Sequence, residues 1–239
     1  MNTLKSDRIL VRRTDEPAYR ASEASSILGI PKATIQAWCF GQGYVRLDGK
    51  KKSFVPLVRP ANVSLRALSF KNLCELHILG VIRCHHGIHM PIVRKSLEYV
   101  QNQLQTQSPL VAEQFLTNGV DLFIEKASQL INVSRDGQTA LRGEFMDALA
   151  RIQRNSDGSV VRLFPYSRIG TAVSSQPKAV MVDPTIAFGR PVLVGAGVTT
   201  EVIKDRFLAG DSFAEMAEDY RVSEADIAEA LRFGQRLAA

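Results

Sequence analysis

Lys32, Thr34 and Gln36 alternate along a short stretch of sequence, and these side-chain types donate to phosphate oxygens and pair with base edges. To do so they need a helix that leads into the major groove with its N-terminal residues. Residues 19–38, YRASEASSILGIPKATIQAW, have the layout of such a helix-turn-helix. Ser22 is the expected N-cap of a first helix, with Ala24, Ile27 and Leu28 at helical spacing and Gly29 as its stop. Pro31 suits a turn or a helix start, and Ala33 to Trp38 form a second helix with Ile35 and Trp38 on the inner side. Lys32, Thr34 and Gln36 then face outward. The same pattern also fits a helical hairpin that packs inside a larger fold.

A second basic feature follows in GQGYVRLDGKKKSFVPLV, which reads as two short strands joined at Asp48-Gly49 with Lys50, Lys51 and Lys52 just beyond the turn. A lysine-tipped hairpin beside a helix-turn-helix is what a wing along the DNA backbone requires. A solvated charge run is the plainer reading of the same lysines. Two helices come next, one with Leu73, Leu76 and Leu79 on its face and Ser69 as cap. The other opens at Pro91 and carries Val93, Leu97, Val100 and Leu104, a seam suited to the domain or to a second subunit.

Cys74, His77, Cys84, His85, His86 and His89 are the residue types that bind zinc. Spacing argues against a site, because Cys74 and Cys84 on one helix lie about 15 Å apart along its axis. No metal and no cofactor are expected. The chain also lacks a phosphate loop, a nucleophile-base arrangement or a spaced carboxylate pair, so it does not read as an enzyme.

The 239 residues suffice for two small cores, and the composition is that of an ordinary globular chain. No apolar run approaches a membrane span and the first residues lack a signal-peptide block, so the expected location is the cytoplasm, with reduced thiols. Charge is distributed unevenly: residues 1–105 hold 16 Lys and Arg against 7 Asp and Glu, and residues 179–239 hold 6 against 10. The basic front suits nucleic acid and the acidic end suits a protein partner.

The middle of the chain, residues 107–176, reads as a small mixed unit ending in a linker. It offers a short helix from Pro109 to Leu116 and strand-like runs at Val120, Leu122, Ile124 and at Leu130, Ile131, Val133. A turn at Arg135-Asp136-Gly137-Gln138, a helix from Gly143 to Ile152, and a strand from Val160 to Phe164 complete it. Beyond residue 177, two short apolar strands precede three helices with caps at Thr199 or Thr200, Ser212 with Glu215, and Ser223 with Asp226. The expected fold is therefore mainly α with small β elements (α+β). Its parts are residues 1–106 as a winged helix-turn-helix with helical extension, 107–176 as the mixed region, and 177–239 as strands plus a helix-turn-helix-like trio.

The helix pair ending at Trp38, the wing, and LSFKNLCELHILGVIRCHHGIHMPIVRKSL together resemble the MerR-type winged helix-turn-helix, with Gln36 and the lysine run in place of that family's arginines. The C-terminal motifs Asp183-Pro184, Gly189-Arg190-Pro191 and Gly195-Ala196-Gly197-Val198 resemble a small domain found in antitoxins of type II toxin-antitoxin modules. As a whole the chain is similar to the large VapB-type antitoxins, whose partners are PIN-domain ribonucleases. The resemblance implies a homodimeric repressor that binds operator DNA through Lys32, Thr34, Gln36 and Lys50, Lys51, Lys52. A cation from the acidic tail, such as Arg190, Arg221, Arg232 or Arg236, would enter the toxin's carboxylate cluster, or the tail would simply block its groove. The alternative is a MerR-like regulator that responds to a small effector.

Overall fold

The computed structural model describes residues 14–45, 51–86, 88–131, 135–168 and 176–235. It is mainly helical, with three separate two-stranded antiparallel sheets among the described residues. The chain divides into two compact units, one formed by residues 15–25 and 30–150, the other by residues 26–29 and those from 151 onward.

Up to residue 150 the order is α1 (Ala21–Leu28), whose residues 26–28 group with the other unit, then α2 (Lys32–Phe40), β1 (Gln42–Val45), β2 (Lys51–Phe54), α3 (Phe70–His86), α4 (Met90–Leu104), α5 (Val120–Ile131) and α6 (Arg135–Leu149) of the first, helical unit. Helix α1 starts one residue before Ser22. The Arg20 N–H donates to Glu23 Oε2 at 2.6 Å, so Glu23 closes the first turn and Ser22 lies exposed within it. Gly29, at φ 67°, ends α1, and the Ser25 hydroxyl donates to the Ile30 carbonyl at 2.7 Å across the turn. Strands β1 and β2 pair in the register Gln42 to Phe54 and Tyr44 to Lys52. Gly41 starts the hairpin because a Cβ there would lie 2.6 Å from the Phe54 carbonyl oxygen.

Helix α3 is buried on most of its circumference, from Leu73 through Leu76 and Leu79 to Ile82. Ser69 and Asn72 cap it reciprocally: the Asn72 N–H donates to Ser69 Oγ at 3.2 Å and the Ser69 N–H to Asn72 Oδ1 at 3.0 Å. The α4 seam of Val93, Leu97 and Val100 is buried within the chain, where α4 packs along α5. The region read as two strands after residue 120 is helical as far as Ile131, and Val133 lies outside the described residues. Val120, Phe123, Ile124 and Ala127 are the buried positions, and that i, i+3, i+4, i+7 spacing overrides the local alternation of Val120, Leu122 and Ile124. Likewise the turn at residues 135–138 is the first turn of α6, which ends at Leu149 and leaves Ile152 to a strand. Phe145 on α6 meets Phe115 and Phe123 at centroid distances of 5.9 and 5.2 Å.

The second, C-terminal unit contains β3 (Ile152–Arg154), β4 (Val160–Leu163), β5 (Val180–Met181), β6 (Val192–Leu193), α7 (Thr200–Ala209), α8 (Phe213–Tyr220) and α9 (Glu224–Gln235). The expected turn at Asn155 to Gly158 joins β3 to β4, and β5 pairs with β6 through Val180–Leu193 and Met181–Val192. Thr199 caps α7, Ser212 and Glu215 form a complete capping box on α8, and Ser223 exchanges bonds with Asp226 at the start of α9. Arg151 organises the entry to this unit. Its Nε donates to the Phe164 carbonyl at 2.6 Å and Nη1 to that of Gln176 at 2.9 Å. Nη2 reaches Pro165 at 3.2 Å and Pro177 at 2.8 Å. Four backbone acceptors thus converge on one buried cation.

Candidate functional site

The predicted DNA-contact residues fall on two elements of the helical unit. On α2, Ile35, Trp38 and Cys39 are buried, which turns Lys32 outward as an exposed side chain and leaves Gln36 half-buried one turn further along. Burial pushes the Cys39 thiol up to about 12, with Glu75 adding to the shift, so Cys39 is a core residue without thiolate character. Thr34 is also half-buried, and it lines a cavity instead of standing clear beside Lys32. Lys51 and Lys52 belong to β2, where they pair with Val45 and Tyr44. Lys50 and the Asp48-Gly49 turn lie outside the described residues.

That cavity holds about 300 Å³ beside α2. Trp38 and Thr34 contribute from α2, Phe54 from the base of the hairpin, Arg83 from α3, and Met90 and Arg94 from α4. Nothing in the sequence singled it out, because its walls come from four elements that only the fold brings together. Arg94 donates to the Val55 carbonyl and its guanidinium carbon lies 5.3 Å from the Phe54 ring centroid, so two contacts hold it in place.

Of the cysteine and histidine series, the side chains of Cys84, His85 and His86 lie outside the described ones. Cys74 is buried, His77 Nε2 lies 3.3 Å from the Ala148 carbonyl oxygen, and His89 precedes α4. Among the described residues no three His, Cys, Asp or Glu side chains are placed to hold a metal ion. Glu75 is a buried carboxylate on α3 that no local sequence signal marks. Burial pushes it up to about 7 although the Asn72 amide donates to it at 3.0 Å.

In the C-terminal unit the four arginines have different surroundings. Arg190 pairs with exposed Glu201 at 3.4 Å, and Arg221 stands exposed at the C-cap of α8 with φ 54°. Arg232 pairs with Glu229, a buried carboxylate that also accepts from Ser167 at 2.6 Å and from Arg168. Burial alone would raise that carboxyl, but these donors hold it below its usual range. Arg236 lies outside the described residues. Phe188 is 91% exposed and takes a left-handed φ of 57°, a conformation bulky residues avoid.

The core of this unit is assembled from Val180 and Leu193 of the hairpin, Ile203, Met216, and Ile227 to Phe233. Residues 180–233 match DUF433, a family described as proteins of unknown function. The matched segment therefore spans that core, from its first strand to its last helix. Beyond it, the chain is similar to a Mycobacterium tuberculosis (strain ATCC 25618 / H37Rv) protein named "Putative antitoxin VapB45". The two are 27% identical over 246 residues, covering 94% of this chain and 97% of the relative. The fold is shared with the crystal structure of Rv2018 from Mycobacterium tuberculosis, at a TM-score of 0.65 and 23% identity, over 92% of this chain and 99% of that one. No described helix is long and apolar enough to cross a membrane.

Proposed function

We propose that this chain is the antitoxin of a type II toxin-antitoxin module, a cytoplasmic homodimer that represses its own operon and neutralises a PIN-domain ribonuclease. The observation that carries the reading is the end-to-end similarity to a protein named as an antitoxin, which extends well beyond the DUF433 segment alone. The winged arrangement of α2, β1 and β2 and the basic front of the chain support the DNA-binding half. Exposed Phe188 and the arginines at 190, 221, 232 and 236 are the proposed toxin contacts in the acidic half.

The test is co-expression with a small nuclease encoded by a neighbouring gene, whose absence from the locus would count equally against the reading. Growth is restored and the two proteins co-purify if the reading is right; a nuclease that stays fully toxic and is not retained ends it. Arg190 and Phe188 are suited to finer mapping. Both members of the Arg190–Glu201 pair are exposed, so its loss costs at most about 1 kcal/mol of stability. Phe188→Asn removes an exposed ring at a left-handed position that asparagine tolerates. The double variant R190A/F188N is expected to keep its melting temperature and to lose at least about tenfold in toxin affinity, or 1.4 kcal/mol. Unaltered affinity would move the toxin contact elsewhere in the unit.

DNA binding separates into two effects. Replacing Lys50, Lys51 and Lys52 by alanine is expected to weaken all duplexes alike and to flatten the slope of log K against log salt by up to about 3. Gln36→Ala is expected to leave that slope unchanged and to relax preference at one base pair by about 1–3 kcal/mol. Equal losses on operator and random DNA for both variants would contradict this division of labour.

A further inference from the structure

We infer that the cavity between α2, the hairpin base, α3 and α4 is a binding site for a small organic anion with a flat apolar body, of the aromatic carboxylate class. Its volume of about 300 Å³ lies at the lower end of the range of small-molecule sites. The walls are apolar, from Trp38, Phe54 and Met90, and no carboxylate is among the lining residues. Its two charged groups are both guanidiniums. Arg94 is held by the Val55 carbonyl through Nη1 and by the Phe54 ring, which leaves further donors on a fork already in place. Arg83 has neither an ion pair nor a hydrogen bond among the described residues, and its exposed side chain borders the same space.

Two cations over an apolar slot are complementary to a carboxylate carried on a ring. The carboxylate takes the guanidinium donors while the ring replaces water against Trp38, Phe54 and Met90. A bare phosphate would meet the charges and leave the apolar walls wet. Thr34 of α2 lines the same space, so an occupant touches the helix that carries Lys32 and Gln36. Ligand and DNA are then coupled, and each changes the affinity of the other by the same factor. This coupling rests on the DNA-binding reading; the ligand site itself rests only on the cavity.

The probe is 1-naphthoate, titrated into the full chain by calorimetry, with 1-naphthamide and inorganic phosphate as controls. Trp38 is the only tryptophan in the chain, so a single indole N–H resonance reports on the cavity wall. Saturable naphthoate binding that shifts this resonance is expected, with naphthamide at least about tenfold weaker and phosphate without effect. Arg83→Ala removes an exposed side chain outside the core and is expected to weaken naphthoate by at least about tenfold, with Arg83→Lys in between. The proposal is overturned if naphthoate fails to saturate in the millimolar range, if the amide binds equally, or if R83A binds as the parent does. It is overturned too if phosphate shifts Trp38 as strongly as naphthoate, which would mark a contact for the nucleic-acid backbone. None of these arms uses DNA or toxin, so their outcome is independent of the antitoxin assignment.

Discussion

Arg151→Ala is expected to destabilise the C-terminal unit by about 3–5 kcal/mol, a large share of the total stability of an ordinary domain. The guanidinium is buried and satisfies four carbonyls that arrive from two segments, at residues 164–165 and 176–177. Alanine leaves those acceptors in a space that water reaches poorly, and each unsatisfied buried group costs about 1–3 kcal/mol. Lysine can restore the charge but not the planar fork, so R151K should recover less than half of the loss. Hydrogen exchange followed by mass spectrometry is the suitable measurement. Protection should fall across β3 to β6 and α7 to α9 while α3 to α6 keep theirs. A loss below about 1 kcal/mol would mean that the four bonds contribute little beyond what solvent supplies. Under the proposed function, the same variant loses toxin neutralisation and retains operator binding.

Glu75→Gln is expected to stabilise the protein at pH 8 and to remove most of its pH dependence between pH 5 and 8. The carboxyl is fully enclosed, and burial raises it from 4.5 to about 7 against the opposing bond from Asn72 and the charge of Lys71. Between those two values the folded state holds a proton that the unfolded state has released. Stability therefore falls as pH rises through the window and levels off above about 7. At 1.36 kcal/mol per pH unit the ceiling is about 3 kcal/mol. Urea midpoints at pH 5 and pH 8 decide the matter: the parent should lose stability between them and E75Q should not. A variant less stable than the parent at pH 8 would show that the ionised carboxylate is compensated within the core.

Many helix boundaries were legible in the sequence because their punctuation is local. Gly29, Pro31, Ser69, Ser212 with Glu215 and Ser223 with Asp226 each act within three or four residues, and each marks a helix boundary in the structure. Residues 120–131 and 135–138 misled for the same reason, since their local alternation and an Arg-Asp-Gly-Gln turn signal yielded to burial of Phe123, Ala127 and Leu141. Lys32 is exposed because Ile35 and Trp38 bury the opposite side of one helix, whereas Gln36, expected to face outward, is half-buried. Thr34 departed from it because Arg83 and Arg94, remote in sequence, form the far wall of its cavity. The four-carbonyl environment of Arg151 was equally out of reach, because its acceptors lie 13 to 26 residues away.

That separation also orders events during synthesis. The ribosome completes α3 to α6 before it reaches Arg151, and the last acceptor, Pro177, is made 26 residues after the cation it binds. Domains fold as units while the chain emerges, N-terminal first. Helices α2 to α6 and the β1–β2 pair can therefore be finished while Arg151 still waits for its partners, and the segment that matches DUF433 is made after all of them.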